Sequence, residues 1–294
     1  MSQNSNSNTI TRNYLDSLLI ETRYLNSTNP DTSFTLYGKT FSSPVMTAAL
    51  SHLEQLGSGG MARGIAQGAK EAGCVFWYGA AEEEEIRMLA DTGVSMIEII
   101  KPYANRDLIL QKITHAESLG LLAVGIDIDH PFANDGSPDV VDGEPLKALT
   151  TSELAEIVNS TCLPLITKGV LSMYDAENSL NAGVKGMVLS HHNNRIDCAI
   201  PPLYILPEIL KLTGEEVPVF VDCMIQTGMD AFKALALGAK GVCIGRPLMT
   251  AYTKDPDHGV RDYLQGARNE LAKAMAYTGC TDLSKMDPSV IHRI

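Results

Sequence analysis

Several things are scarce in this chain, and each scarcity excludes something. Positive charge is short: 23 Lys and Arg stand against 35 Asp and Glu, giving a net charge of −12 and an isoelectric point near 5.0. An acidic surface repels phosphate backbones and anionic headgroups, so neither nucleic acid nor a membrane surface is an expected partner. No stretch approaches the ~18 uninterrupted apolar residues of a membrane span, and the opening MSQNSNSNTITRNYLDS lacks the apolar core of a secretion signal. A cytoplasmic protein is expected. The six cysteines, Cys74, Cys162, Cys198, Cys223, Cys243 and Cys280, include no C-x-x-C pair, which argues against a zinc site or redox dithiol and for buried free thiols. No H-x-H or H-E-x-x-H spacing occurs either, so no metal is expected.

What is present is a chain that can bury a full core, with 45 % hydrophobic and 20 % charged residues. A length of 294 residues suits two ordinary domains or one large α/β barrel. After a polar, Ser- and Asn-rich opening of roughly ten residues, read as a loose terminus, one pattern repeats. Apolar runs of strand length fall at Pro44 to Leu50, Cys74 to Tyr78, Ser95 to Ile100, Leu122 to Ile128, Pro164 to Lys168, Gly186 to Ser190, Pro218 to Asp222 and Gly241 to Gly245. Helix-period stretches separate them: Met61 to Ala72, Glu82 to Thr92, Arg106 to Leu119, Thr151 to Ser160, Met173 to Ala182, Ile205 to Thr213 and Thr227 to Leu237. Val260 to Tyr277 closes the series. The strands are nearly continuous apolar runs, as parallel strands covered on both faces are. Eight β-then-α units in ~250 residues is the count of a TIM (β/α)8 barrel. A doubly wound open sheet is the weaker choice, because no G-x-G-x-x-G follows the first strand. With no linker or composition break, residues 41–294 read as a single barrel domain and 1–40 as an N-terminal extension.

Function in such a barrel gathers where strands enter their following loops. Those positions carry Ala48, Ala49 and Ser51, Tyr78, Glu98 and Lys101, Asp127 and Asp129, Lys168, then Ser190, His191, His192 and Arg195, Asp222, and lastly Gly245 and Arg246. In LPLITKGVLSMYDAENSLNAGVKGMVLSHHNNRID a lysine ends one strand and a Ser-His-His-Asn-Asn-Arg loop ends the next. Imidazole can accept a proton near neutral pH, guanidinium can clamp a carboxylate, and ammonium can stabilise a developing anion. VPVFVDCMIQTGMDAFKALALGAKGVCIGRPLM offers Gly228 and Gly245 for close backbone approach, with Arg246 for charge, and so reads as a phosphate site. Alternation places Asp127 and Asp129 on one side of their strand, where a carboxylate could support a histidine. Glu82 to Glu85 read as the solvated first turn of a helix.

These segments, over roughly Thr32 to Tyr252, resemble the FMN-dependent α-hydroxy acid oxidase/dehydrogenase family. The family's Lys-Gly-Val/Ile strand end, Ser-Asn-His-Gly-Gly-Arg loop and Asp-Gly-Gly segment running to Gly-Arg-Pro are the specific matches. The resemblance implies FMN in the barrel mouth, with Lys168 by the flavin ring, Asp222 on the ribityl chain, and Gly245 and Arg246 on the phosphate. Ala48, Ala49, Glu98, Asp127 and Ser190 would complete the cofactor site. It further implies His192 as the base, supported by Asp129, with Arg195 gripping the carboxylate of a small 2-hydroxy acid, and a homo-oligomer, a tetramer in the family.

Departures from the pattern fall in the pocket. Asn193 and Asn194 replace two Gly, Cys223 and Met224 replace another pair, and Gln226 stands for an Arg. A third-strand tyrosine is missing, a helix carrying another tyrosine is absent or truncated, and the loop after the fourth strand is cut to PFANDGSPDVVDGEP. Glu98 and Asp127 near the ring would repel small anions, so glycolate and lactate are expected to be poor substrates. An isopentenyl-diphosphate isomerase-like enzyme or a non-catalytic flavin-binding barrel are the competing readings.

Overall fold

All eight apolar runs are strands and lie side by side in parallel. The computed structural model describes residues 5–56, 59–214 and 216–294. The chain opens with α1 (Ser7–Asp16), β1 (Leu18–Ile20) and a hairpin of β2 (Phe34–Leu36) and β3 (Lys39–Phe41). The barrel then runs β4 (Val45–Thr47), α2 (Met61–Glu71), β5 (Phe76–Gly79), α3 (Glu83–Ala90), β6 (Met96–Ile100), α4 (Arg106–Ser118) and β7 (Ala123–Asp127). A small hairpin, β8 (Val140–Val141) and β9 (Glu144–Pro145), precedes α5 (Thr151–Val158), β10 (Leu165–Val170), α6 (Met173–Ala182), β11 (Gly186–Leu189), α7 (Pro202–Thr213) and β12 (Val219–Val221). The last units are α8 (Gly228–Ala236), β13 (Gly241–Ile244), α9 (Arg246–Lys254), α10 (Gly259–Thr278) and β14 (Ile291–Arg293). Sheet order is β4-β13-β12-β11-β10-β7-β6-β5, and its two edges meet through a Leu50–Tyr78 bridge in which Gly79 N–H donates to the Leu50 carbonyl at 3.0 Å. The result is a nearly closed (β/α)8 barrel, not an open doubly wound sheet.

Two elements lie outside the expected pattern. The opening was expected to be loose over about ten residues; residues 1–4 lie outside the described ones, but from Ser7 the chain is helical. Asn6 caps α1 by accepting from the Asn8 and Thr9 amides, and Ser7, Thr11 and Leu15 are buried. At the far end β14 pairs antiparallel with β1, so both ends of the chain are tied to one place. α9 escapes hydrophobic periodicity because Leu248 is its one buried residue.

Strand alternation decides which side chains can reach the barrel mouth. Trp77 of β5 and Phe220 of β12 are not sheet neighbours, yet their rings lie 5.4 Å apart, so they meet across the interior. Ile97, Ile99, Ile166 and Val188 join that inner cluster, and Phe34, Leu36 and Phe41 of the hairpin close its lower end. Phe76, Tyr78, Met96, Val124 and Ile126 face the helices instead.

This alternation corrects three expectations. Glu98 lies between the inward Ile97 and Ile99, so it points into the helix layer near Lys112 of α4 and Glu83 of α3, and cannot reach a flavin ring. Tyr78 is likewise outward: its hydroxyl donates to Glu85 and accepts from the Leu53 amide at 3.3 Å. Gly228 does not approach a cavity. Its amide donates to Glu270 at 2.8 Å, and a Cβ there would overlap the Ala267 carbonyl of α10, so glycine is required by helix packing. The thiols divide as well: Cys74, Cys243 and Cys280 are buried, whereas Cys162 and Cys198 are exposed.

Burial of Glu98, only partly offset by Lys112, pushes its carboxyl up to about 7, and its Oε2 is buried with no hydrogen-bond partner among the described residues. A carboxyl raised from its ordinary value of 4.5 binds its proton more tightly when folded. Its contribution is therefore full below about pH 4.5 and lost as pH rises through about 7. Glu98→Gln keeps the neutral shape, so thermal unfolding should find the variant unchanged near pH 4.5 and more stable by about 3 kcal/mol at pH 8. Equal stability of variant and wild type at pH 8 would refute a buried, strained Glu98.

Candidate active site

The ends of β6, β7 and β10 bring three charges together on the barrel floor. The Asp127 carboxylate accepts from Lys101 Nζ at 2.5 Å on one oxygen and from Lys168 Nζ at 2.8 Å on the other, and all three side chains are buried. Burial alone would raise the Asp127 carboxyl, but Lys168 and Lys101 hold it well below the carboxylate range. Burial likewise opposes the charge on Lys168, and Asp127, with Asp129 and Asp222 beyond it, drives its ammonium upward against that cost. Two ammoniums on one carboxylate give this triad one surplus positive charge, which Asp129 and Asp222 face. The expected repulsion of small anions therefore has no source: Asp127 is overcompensated and Glu98 is elsewhere.

Asp129, two residues along from Asp127, turns to the same side, as alternation required. Its Oδ1 lies 3.0 Å from His192 Nδ1, and its Oδ2 is buried with no partner among the described residues. The neighbouring chain must be glycine: Gly169 has φ +94°, and a Cβ there would overlap the Asp129 carboxyl. A carboxylate at Nδ1 fixes that proton and leaves Nε2 as the acceptor.

The adjacent histidine is built into the wall. His191 is buried, its Nδ1 accepts from the Asn194 amide at 3.1 Å, and its Nε2 lies 2.9 Å from Thr11 Oγ1 of α1. Burial lowers the His191 pKa, keeping the ring neutral. After it, His192, Asn193 and Asn194 all have positive φ, at 48°, 57° and 69°. Such backbone costs of order 1 kcal/mol per residue and is held by its surroundings. Ser190 Oγ accepts from the His192 amide at 3.0 Å, Asn193 Oδ1 accepts from Asn8 at 2.9 Å, and Asn194 Oδ1 accepts from the Ser7 amide. Of the two expectations for the N-terminal helix, absent or truncated, the first is excluded: a ten-residue helix is present and clasps this loop. Its Tyr14 packs on Tyr204 and Arg293, away from the mouth.

A cavity of about 780 Å³ opens over these groups, lined by Ala48 and Ala49, Ser51, Lys168, His192, Asp222, Cys223, Gly245 and Arg246. Asn8 of α1, Met224 and Tyr263 also line it. At one end Arg246 begins α9, whose cap Gly245 has no side chain to satisfy the first amides. The Arg246 guanidinium contacts only the Met224 sulfur, at 3.8 Å, among the contacts described. Asp222 accepts from the Cys223 thiol at 2.9 Å, and Cys223 and Met224 adopt φ of 64° and 62°, the region that favours the glycines they replace.

Arg195, the expected carboxylate clamp, is engaged by protein. Its Nη2 donates to Asp139 Oδ2 at 2.9 Å and to the Phe132 carbonyl, both on the loop after β7. His130 Nε2 meets the same Asp139 oxygen at 2.9 Å, while Lys101 Nζ lies 2.9 Å from His130 Nδ1. Donor atoms of Asp127, His130 and His192 fall within 4.8 Å of one another, as in a metal site. Here Lys101 already occupies two of those donors, so an ammonium stands where a cation would bind. Asn8, Thr11, His130 and Asp139 escape sequence reasoning; the only signal was the excess of hydrogen-bonding side chains in the first twelve residues.

A family model described as FMN-dependent dehydrogenase matches residues 2–147 and 134–293. Glycolate oxidase of Spinacia oleracea is 28 % identical over 317 residues, covering 95 % of this chain and 86 % of the relative. 2-Hydroxyacid oxidase 2 of Homo sapiens is 28 % identical over 302 residues, covering 92 % and 85 %. L-lactate oxidase of a Roseobacter strain (GAI101) is 35 % identical over 162 residues, covering 55 % and 44 %. Among solved structures, mandelate oxidase with 3,3-difluoro-2-hydroxy-3-phenylpropionic acid superposes with a TM-score of 0.87 at 25 % identity, covering 100 % of this chain and 91 % of that one. With the family model matched along nearly its whole length and the same barrel beneath it, the chain belongs to the FMN-dependent dehydrogenase family.

Proposed function

We propose that the protein oxidises a 2-hydroxy acid to the 2-oxo acid with FMN as its cofactor. The observation that carries this reading is the Asp129–His192 pair, aimed at a cavity with Lys168 at one side and, on the other, the Arg246 guanidinium at a helix N-terminus, which has no acidic partner among the described residues. The residues suit the cofactor. Arg246 at the start of α9 matches a phosphate, Asp222 matches a hydroxylated chain, and the β4 end, Ala48 and Ala49, gives a flat wall with small side chains. Ser190 would act by holding the His192 backbone. Bound FMN supplies the two-electron acceptor.

The rest belongs to this chain. His192 Nε2 takes the proton from the substrate, and Asp129 stabilises the imidazolium that forms. Lys168, kept charged by Asp127, holds a positive charge against the cavity, and Arg195 orients the substrate carboxylate. A diphosphate isomerase has no use for a base paired with a carboxylate clamp, and a mere flavin carrier has no use for the Asp129–His192 pair, so neither is favoured. The acidic composition supports cytoplasmic action on a small molecule, and among the described residues no helix is long and apolar enough to cross a membrane. Family resemblance supports a homo-oligomer, a tetramer, with residues 41–294 as the flavin barrel and 1–40 as an extension.

Purified protein should be yellow and carry FMN without a covalent bond. Arg246→Ala should weaken FMN binding by ~1.5 to 3 kcal/mol, the worth of a charge-assisted contact, as read by equilibrium dialysis. A colourless protein that takes up no added FMN would falsify the proposal. His192→Ala should slow anaerobic flavin bleaching by ~10² or more with FMN retained. His191→Ala should chiefly lower the melting temperature, since that ring holds α1 and the loop; a larger kinetic loss from His191→Ala than from His192→Ala would reverse the assignment.

A further inference from the structure

One carboxylate in this mouth has a place that its own hairpin does not require. The loop of residues 131–147 is fastened at its base, where Ala104 N–H donates to the Pro145 carbonyl at 2.8 Å and Lys147 N–H to the Pro102 carbonyl at 2.9 Å. Asp139 is itself held within it, its N–H donating to the Pro131 carbonyl at 3.1 Å and its carbonyl accepting from Leu146 N–H at 2.8 Å, while its side chain turns toward the mouth. One oxygen of that side chain accepts locally from the Val140 amide at 2.8 Å. The other, Oδ2, is shared by Arg195 Nη2 and His130 Nε2, both at 2.9 Å, donors that come from the ends of two different strands. The donor roles are fixed from below: Lys101 has only N–H to give, so His130 Nδ1 accepts and Nε2 carries the proton. Burial, with Lys101 and Arg195 nearby, lowers the His130 pKa to about 4, so this ring is a neutral donor at pH 7. Its face meets the edge of the His192 ring at 5.3 Å between centroids.

We propose that Arg195 and the Nε2–H of His130 together form the subsite for the substrate carboxylate, and that in the free protein Asp139 occupies it as a built-in competitor. The inference rests on the reading of Arg195 as the carboxylate clamp and adds His130 as its second jaw. A 2-hydroxy acid carries its carboxylate one bond from the carbon that reacts, and the subsite lies one ring away from the base, so an incoming carboxylate displaces the Asp139 side chain. Because Asp139 keeps its backbone hydrogen bonds to Pro131 and Leu146, only its side-chain contacts are exchanged. Binding is weakened by the fraction of molecules in which Asp139 holds the subsite. The preferred ligand is therefore a monocarboxylate with room around its α-carbon.

The test is calorimetric titration of the FMN-loaded protein with pyruvate, a 2-oxo monocarboxylate with no hydrogen left at C2. Asp139→Asn is nearly isosteric and half-exposed, and an unchanged flavin spectrum checks that it folds. It should bind pyruvate about tenfold more tightly than wild type, as removal of a competitor present in about nine molecules of ten requires. Adding His130→Ala to that variant should cancel the gain, and saturating pyruvate should speed hydrogen exchange of the Val140 amide in the wild type, since its acceptor is Asp139 Oδ1. Unchanged or weaker binding by Asp139→Asn, or slower exchange with pyruvate, overturns the competitor. Arg195→Ala separates this from the reading beneath it. If that variant binds pyruvate like wild type, the clamp assignment itself fails; if it loses binding while Asp139→Asn gains none, Asp139 alone has been misread.

Discussion

The buried Asp127 carboxylate between Lys101 and Lys168 is the constraint from which the mouth of this barrel follows. Without it two strand ends would carry two uncompensated buried ammoniums, so removing the carboxylate would cost about 3 to 5 kcal/mol. The triad has an odd number of charges, so it cannot be neutral. Its surplus positive charge sits below the cavity, where low dielectric makes it felt by any anion that binds or forms there. From Lys101 a chain of donors runs upward through His130 to Asp139 and across to Arg195, so the floor also fixes what the loop above it can touch.

A second constraint is backbone strain, held rather than relieved. Five residues around the cavity, His192 to Asn194 with Cys223 and Met224, occupy conformations that glycine would adopt without cost. α1 supplies the restraint: Asn8 and Ser7 hold Asn193 and Asn194, Thr11 holds His191, and Arg12 reaches both the Met224 carbonyl, at 3.1 Å, and Asp230. The N-terminal segment is therefore part of the site, although it adds no strand to the barrel. The side chains gained at Cys223 and Met224 line the cavity, so exchange of glycine for larger residues narrows the site where the family pattern leaves it open.

Much of the barrel was legible because its cause is local. Continuous apolar runs mark parallel strands buried on both faces, and glycine after helices such as α6 supplies the left-handed stop, with Gly183 at φ +88°. Counting these units gives the eight strands and eight of the ten helices described, α2 to α8 and α10. α9 and α1 were missed for the same physical reason: neither presents a long apolar stripe, and α1 is anchored by hydrogen bonds from Ser7, Asn8 and Thr11, which leave no periodic trace.

The sequence by itself determined which chemical groups stand at strand ends. Lys168, His192 with Asp129, Asp222 and Arg246 all meet in one mouth because a residue's place along a parallel strand fixes its height in the barrel. Only the tertiary structure decided their direction and pairing. A shift of one residue moves a side chain to the opposite face, which is why Glu98 belongs to the helix layer and not to the cavity. Likewise, whether Arg195 is free or held depends on Asp139, 56 residues away along the chain and 2.9 Å away in space, and no local pattern encodes such a contact.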